Sequence, residues 1–333
     1  MPRDACAELF GIPENPVPEG AVVEVLTAED GVRLRAARFA PPAGQPKGTI
    51  CLFQGRAETI EKYFETIEDL RARGFVVAAL DWRGQGGSAR LTRDPLKGHI
   101  PHFSHYQRDI KVFMERFVLP ECPAPIFGLA HSMGGPIALI AAQRHFTWFE
   151  RLVLLAPLFG LPGLQMGRTA RSIARTVTLL GLGSFFMPFG NRKRILQRVF
   201  EGNLLTSDQR RFLRTAAVLT AHPHLRISGP TNGWIHSAFG AMDIISARQF
   251  PASLRTPVLI LTAAYEGIVS NAAITRVARR LRTARVISID GARHEMLMER
   301  DAIREGVLAA VDAFIPGTDP FAEADSRHHH DAL

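Results

Sequence analysis

IFGLAHSMGGPIAL, residues 126–139, passes from an apolar run through Ala130-His131-Ser132-Met133-Gly134 into a helix-forming run. A serine on so tight a strand-to-helix turn sits where the backbone folds back on itself, so the residues two away on either side must be small. Ala130 and Gly134 meet that need, with Ala130 in the place usually filled by a first glycine. The next amide lies at a helix N-terminus, where unpaired N–H groups stabilise a developing oxyanion. Met133 would donate that hydrogen bond. A glycine-rich turn with an incidental serine would not require a strand before it and a helix after it, so Ser132 is read as a nucleophile.

Outward from this turn, short apolar β-branched runs alternate with helix-period segments, the pattern of an α/β protein whose mostly parallel sheet is covered by helices on both faces. Strands are predicted near 21–27, 32–39, 48–53, 75–81, 124–130, 151–157, 257–263 and 285–290, the first two forming an antiparallel edge. Helices are predicted over 59–73, 104–119, 134–146, 271–282 and 300–314, the second opening with Ser104 as a cap. The alternation breaks between about 158 and 250, where helical but irregular sequence rich in Gly, Arg and Phe separates two strands. The predicted organisation is therefore a core of 1–157 and 251–316, a helical cap of 158–250 over the sheet's carboxyl end, and a mobile tail of 317–333 without apolar periodicity.

The 333 residues are 46% hydrophobic and 22% charged, the balance of a globular protein rather than a disordered one. Cys6, Cys51 and Cys122 form no paired framework, which predicts reduced packing residues and a cytoplasmic setting. The first twenty residues place acids and prolines where a signal peptide needs a basic end and an apolar run, and no apolar run is long enough to span a bilayer. The net charge of +8 is unevenly placed. Residues 158–250 hold 12 Arg and Lys against Glu201, Asp208 and Asp243, or +9, while the remainder holds 28 basic and 29 acidic residues, or −1. The entire excess lies in the cap, where its field would draw anionic surfaces or ligands.

A serine hydroxyl is too weakly acidic to attack an ester unaided; it needs a base in hydrogen-bond reach and a carboxylate to orient that base. Glu266 follows the predicted strand 257–263 and His294 follows 285–290, which is the order serine, acid, histidine with each group on a loop after a strand. Asp290 and Asp243 compete with Glu266 for the acid role. A second oxyanion donor is expected from the loop Gln54-Gly55-Arg56-Ala57-Glu58 after GTICLFQ, and is assigned to the Arg56 amide. Gly55 would let the backbone approach a substrate closely.

Several blocks coincide in order with one family. QGRAETIEKYFETIEDLRARGF, VVAALDWRGQGGS, LAHSMGG and GARHEML resemble the oxyanion loop, the Asp-x-Arg-Gly-x-Gly-x-Ser turn, the elbow and the histidine loop of the monoacylglycerol lipase and lysophospholipase branch of the α/β-hydrolases. The resemblance covers roughly residues 20–315. Gln54 stands where that branch more often has histidine, and Gly87 is small where a larger residue is frequent. Bacterial lysophospholipases are the nearer match, since they too can carry glutamate as the acid and begin the elbow with alanine. The resemblance implies the α/β-hydrolase fold with an eight-stranded sheet and an inserted cap, and an esterase or lipase acting on single-chain acyl substrates without metal or organic cofactor.

Other motifs are weaker. Asp81-Trp82-Arg83-Gly84-Gln85-Gly86 follows a strand but is not in the first βα unit and opens no helix, so it reads as a turn fixed by Asp81 and Arg83 rather than a dinucleotide site. His294-Glu295-Met296-Leu297-Met298 lacks the second histidine of a zinc helix, and His328, His329 and His330 sit in the tail. In the cap, Arg168, Arg171 and Arg175 share a helix face, followed by LLGLGSFFMPF and then Arg192, Lys193, Arg194 and Arg198. One reading is an acyl-chain channel lined by Phe185, Phe186, Met187 and Phe189, with a basic rim that meets an anionic membrane face; the other is an ordinary cap core beneath a solvated basic face. No nucleic-acid motif accompanies the basic patch. Beside ester hydrolysis of a lysophospholipid or monoacylglycerol stand a serine aminopeptidase, an acyltransferase on the same nucleophile, and a non-catalytic lipid-binding module.

Overall fold

The computed structural model describes residues 4–187 and 199–316. Eight strands form one sheet in the order β1-β2-β4-β3-β5-β6-β7-β8: β1 Val22–Thr27, β2 Arg33–Phe39, β3 Thr49–Phe53, β4 Val76–Leu80, β5 Ile126–His131, β6 Arg151–Leu155, β7 Val258–Ala263 and β8 Ala284–Ile289. β1 pairs with β2, and β2 with β4, antiparallel; all later pairings are parallel. Each predicted strand is present within a residue or two, and the antiparallel edge is where it was expected. The reason lies in burial: β3, β4, β5 and β7 are buried along their whole length, so both faces select apolar residues and the runs are continuous.

Helices α1 Phe64–Ala72, α2 His105–Phe113, α3 Gly134–Arg144, α7 Asn271–Ala278 and α8 Asp301–Phe314 match the five predicted ones. Between β6 and β7 lie α4 Leu164–Val177, α5 Gln209–Ala221 and α6 Asn232–Ser246, with α4 packed on α6 and α6 touching α3. Ser104 is corrected: it precedes α2 with φ −60° and ψ −18°, already helical, and its hydroxyl makes no capping bond. A cap needs an extended backbone to swing its oxygen onto the second or third amide. Such geometry occurs at Asp208, Thr231 and Ser270, each of which accepts from an amide three residues on. The predicted tail 317–333, with His328, His329 and His330, lies outside the described residues, as do Phe189, Arg192, Lys193, Arg194 and Arg198.

The turn after β4 is a buried polar hub. Asp81 accepts from Arg35 Nε at 2.8 Å, Gln54 Nε2 at 2.7 Å and the amides of Ile60 at 3.1 Å and Gly87 at 2.7 Å. Arg83 is held by Asp30 and by buried Asp109. The turn is thus structural, as the sequence indicated, and it explains the small residue at 87. A Cβ there would stand 2.3 Å from Arg35 Nε. Gly87→Ala is expected to displace a guanidinium paired with the buried carboxylates of Glu61 and Asp81 and to cost about 2–4 kcal/mol. A thermal melt within a degree of wild type would contradict that account.

Candidate active site

β5, β7 and β8 run parallel, so the loops that follow them open at one end of the sheet. Ser132 follows β5 with φ +48°, a left-handed conformation that non-glycine residues adopt only when their surroundings impose it. Here the Ser132 amide donates to Leu155 O at 3.0 Å, and its carbonyl accepts from Gly135 at 3.1 Å and Leu158 at 3.0 Å. Close packing of the elbow sets residue size: a Cβ on Gly134 would lie 2.3 Å from the Phe53 carbonyl oxygen. Ala130, wholly buried, shows that a methyl group is accommodated on the strand side.

His294 Nε2 lies 3.0 Å from Ser132 Oγ, and His294 Nδ1 lies 2.9 Å from Glu266 Oε2. These partners fix the tautomer: Nδ1–H donates to the carboxylate, leaving Nε2 to accept the serine proton. Glu266 Oε1 accepts from the Ile268 and Val269 amides at 2.7 and 3.1 Å. Burial opposes ionisation of Glu266, but the His294 ring and these amides outweigh it and hold the carboxyl below its usual range. Burial lowers the pKa of His294, Glu266 partly opposes this, and the neighbouring His131 lowers it further. The imidazole is therefore neutral and able to act as a base at pH 7. The competing acids stand elsewhere: Asp243 pairs with Arg171 at 2.6 Å on the surface, and Asp290 is exposed.

The amides of Arg56 and Met133 donate to no protein acceptor among the described residues, leaving both available to an oxyanion. Ala57 beside Arg56 has φ +63°, so this loop is also conformationally constrained. A cavity of about 250 Å³ adjoins Ser132, walled by Leu158, Leu161, Leu205, Trp234, Ile235 and Ile268 on its apolar side. Arg56, Glu58, His131, His294 and Glu295 also line it. The expected channel residues are a correction. Phe185, Phe186 and Met187 do not border this cavity; Phe185 is 57% exposed, and Lys97 Nζ lies 5.3 and 5.6 Å from the Phe185 and Phe186 rings. Met187 packs at the margin of the core, its amide donating to Pro230 O.

A buried charged network behind the site was not foreseen. Glu58 accepts from Lys62 Nζ at 2.6 Å and Tyr63 Oη at 2.7 Å, lies 3.0 Å from His131 Nδ1, and accepts from the Gly55 amide. Lys62 also pairs with Glu295 at 2.7 Å. His131 Nε2 lies 3.1 Å from the His294 carbonyl oxygen. With acceptors on both nitrogens, His131 is satisfied only as an imidazolium. Burial disfavours that charge, yet Glu58 outweighs it and raises the His131 pKa. The need for Gly55 also has its cause here, since a Cβ would lie 2.8 Å from Glu58 Oε2 and 3.0 Å from His131 Nδ1. The spacing of Glu58 and Lys62, four residues apart, and the position of His131 beside the serine were the available signals.

An eight-stranded sheet in this order, with a serine, a histidine and a carboxylate hydrogen-bonded in series at the open end of its parallel strands, defines an α/β-hydrolase. The chain belongs to the serine aminopeptidase S33 family, whose model matches residues 44–301, and it is a hydrolase of the lipase branch. Lysophospholipase L2 of Escherichia coli (strain K12) is 33% identical over 305 residues, covering 86% of this chain and 85% of that protein. Monoglyceride lipase of Mus musculus is 31% identical over 156 residues, 41% of this chain and 50% of that protein. A soluble variant of monoglyceride lipase from Saccharomyces cerevisiae, solved with a substrate analog, superposes with a TM-score of 0.68 at 18% identity, covering 91% of this chain and 99% of that one. No helix among the described residues is long and apolar enough to cross a membrane.

Proposed function

We propose that this hydrolase releases fatty acids from single-chain lipid esters, lysophospholipids first and monoacylglycerols next, through an acyl-enzyme on Ser132. The observation that carries the reading is the series Ser132–His294–Glu266 beside a cavity with an apolar wall. His294 Nε2 takes the Ser132 proton as Oγ attacks the ester carbonyl, and Glu266 steadies the imidazolium so formed. The Met133 and Arg56 amides hold the oxyanion. His294 then returns the proton to the departing alcohol, and water activated by the same imidazole frees the fatty acid.

On this reading residues 1–157 and 251–316 are the catalytic core, and 158–250 are a helical cap that contributes Leu158, Leu161, Leu205, Trp234 and Ile235 to the acyl wall. Leu179, Leu180, Leu182 and Phe185 are exposed just beyond Arg168, Arg171 and Arg175. Apolar residues beside cations suit the interfacial zone of an anionic membrane, so this part of the cap is assigned to peripheral membrane contact from the cytoplasmic side. An aminopeptidase reading would need a free carboxylate for the substrate ammonium. Glu58 and Glu295, the acids of the cavity, are both committed to Lys62.

Initial rates of fatty-acid release from a lysophospholipid and a monoacylglycerol, set beside cleavage of a proline amide, test the proposal. Turnover is expected to favour the lysophospholipid and to leave the amide almost untouched. On the acid side kcat/KM should fall only below the ordinary histidine pKa of 6.5, because burial lowers that of His294. Faster cleavage of the amide than of either ester would reject the substrate class.

A further inference from the structure

Four charged residues line the cavity beside the neutral His294, and three of them are answered within the protein. Glu58 and Glu295 pair with Lys62, and His131 pairs with Glu58. The fourth, Arg56, has no carboxylate partner among the described residues. Its Nη2 donates to the Ser228 carbonyl at 2.7 Å, its guanidinium stacks 5.1 Å from the Trp234 ring centroid, and its Nε is buried without an acceptor. Burial draws its pKa down to about 10, with Tyr106 partly opposing, so the group is still a cation at neutral pH. Room has been made for it: a Cβ on Gly98 would come within 2.5 Å of Ile227 Cδ1 and 3.0 Å of Arg56 Nη2.

A buried guanidinium without a carboxylate partner destabilises the free protein, and a loop brace does not require one. A carbonyl acceptor and an aromatic face could equally hold a neutral side chain. What a guanidinium adds is planar, charge-assisted recognition of an oxyanion. The chemistry of the substrate then supplies the fit. The covalent path from the Arg56 amide nitrogen to its guanidinium carbon has as many bonds as the path from the ester carbonyl carbon to phosphorus in a 1-acyl lysophospholipid. The two separations therefore have the same covalent length.

We infer that the Arg56 side chain is the receptor for the phosphodiester of the substrate head group, while its amide serves the ester oxygen. This rests on the ester-hydrolase reading above and deepens it, making Arg56 the residue that ranks lysophospholipids above monoacylglycerols. The stacking on Trp234 and the bond to Ser228 hold the guanidinium in place before substrate arrives, so little side-chain entropy is lost on binding. The phosphate displaces no internal salt bridge.

The test compares wild type with Arg56→Met, which keeps the backbone amide and most of the side-chain volume. With 1-acyl lysophosphatidylglycerol and a 1-monoacylglycerol of the same chain, the ratio of their kcat/KM values is expected to fall at least about tenfold in the variant. Equal losses on both substrates would overturn the inference, because a merely bracing arginine affects both alike. A second measurement does not depend on lipid turnover. Glycerol 3-phosphate should slow fluorophosphonate labelling of Ser132 in wild type, glycerol should not, and the protection should vanish in Arg56→Met relative to its own unprotected rate. Protection that survives the substitution overturns the assignment, and protection by inorganic phosphate as strong as by glycerol 3-phosphate assigns the site to free phosphate instead. Should wild type cleave neither lipid while Arg56-dependent protection holds, the ester reading falls and the anion site stands.

Discussion

Ser132→Ala is expected to lower ester turnover by about 10⁴-fold or more and to abolish labelling by a fluorophosphonate. Among the described residues lining the cavity, Ser132 carries the one hydroxyl, and its Oγ lies 3.0 Å from His294 Nε2. His294→Ala should cost a similar factor, and the double variant little more than either single one, because a nucleophile and its base act as a unit. Glu266→Gln is the informative third member. Glutamine would keep the shape and could keep accepting from the Ile268 and Val269 amides, yet its NH₂ could turn toward His294 Nδ1 and reverse the tautomer, so a loss approaching 10⁴-fold is expected from a change of a single atom. Full labelling of Ser132→Ala would remove the nucleophile assignment outright. A Glu266→Gln enzyme with near wild-type kcat would show that another group orients the histidine.

The parts of this molecule that could be read from residues alone share a cause. Strands such as β3 and β7 are buried on both faces, so every position is under the same apolar demand and the run is unmistakable. That Ser132, Glu266 and His294 would meet could be expected because each follows a strand, Ser132 directly, and a parallel sheet delivers all such loops to one end. LLGLGSFFMPF misled for the opposite reason. Its composition is that of a core, but composition carries no depth: Leu179 is 74% exposed and Leu180 70%. The residues that do wall the cavity, such as Leu205 and Trp234, are single apolar positions scattered through the insertion, set in place by tertiary contacts rather than by a local pattern. Ser104 misled because residue type alone predicts a cap, whereas the bond depends on backbone angles that the preceding turn decides.

The charged network was the least legible element, since Glu58 and Glu295 come from two separate loops and His131 from the end of β5. It is also the element through which stability and the site are joined. Gly55, next to Arg56 in the loop after β3, is tethered by Glu58, while the backbone of His294 is tethered by His131. A displacement in one tether moves a hydrogen-bond donor or the base, and misplacement on the scale of an ångström is enough to lower a rate substantially.

Glu58→Ala should therefore act on folding and turnover together, with an expected loss of about 3–5 kcal/mol of stability from removing one partner of a buried charge cluster. The substitution leaves the His131 imidazolium without a counter-ion, Lys62 with Glu295 alone, and the Gly55 amide and Tyr63 hydroxyl without an acceptor. The pH dependence separates this account from a simple packing defect. In wild type, burial opposes ionisation of Glu58, but His131 and Lys62 outweigh it and hold the carboxyl well below the ordinary 4.5, so its contribution is complete above that value and is lost progressively as pH falls below it. His131 has a raised pKa, so its contribution is complete below the ordinary 6.5 and disappears as pH rises through the raised value. In the variant the sign for His131 reverses. A buried imidazole without its carboxylate folds best when neutral, so stability should improve as pH climbs through the ordinary histidine range and fall on the acid side. Melting temperatures followed from about pH 6 to about pH 9 should accordingly slope in opposite directions for wild type and Glu58→Ala, with Glu58→Gln following the alanine variant because the charge and not the volume is at issue. Parallel slopes for wild type and both variants would mean that His131 is not held as a cation by Glu58, and that the tether between the loop after β3 and His294 is not electrostatic.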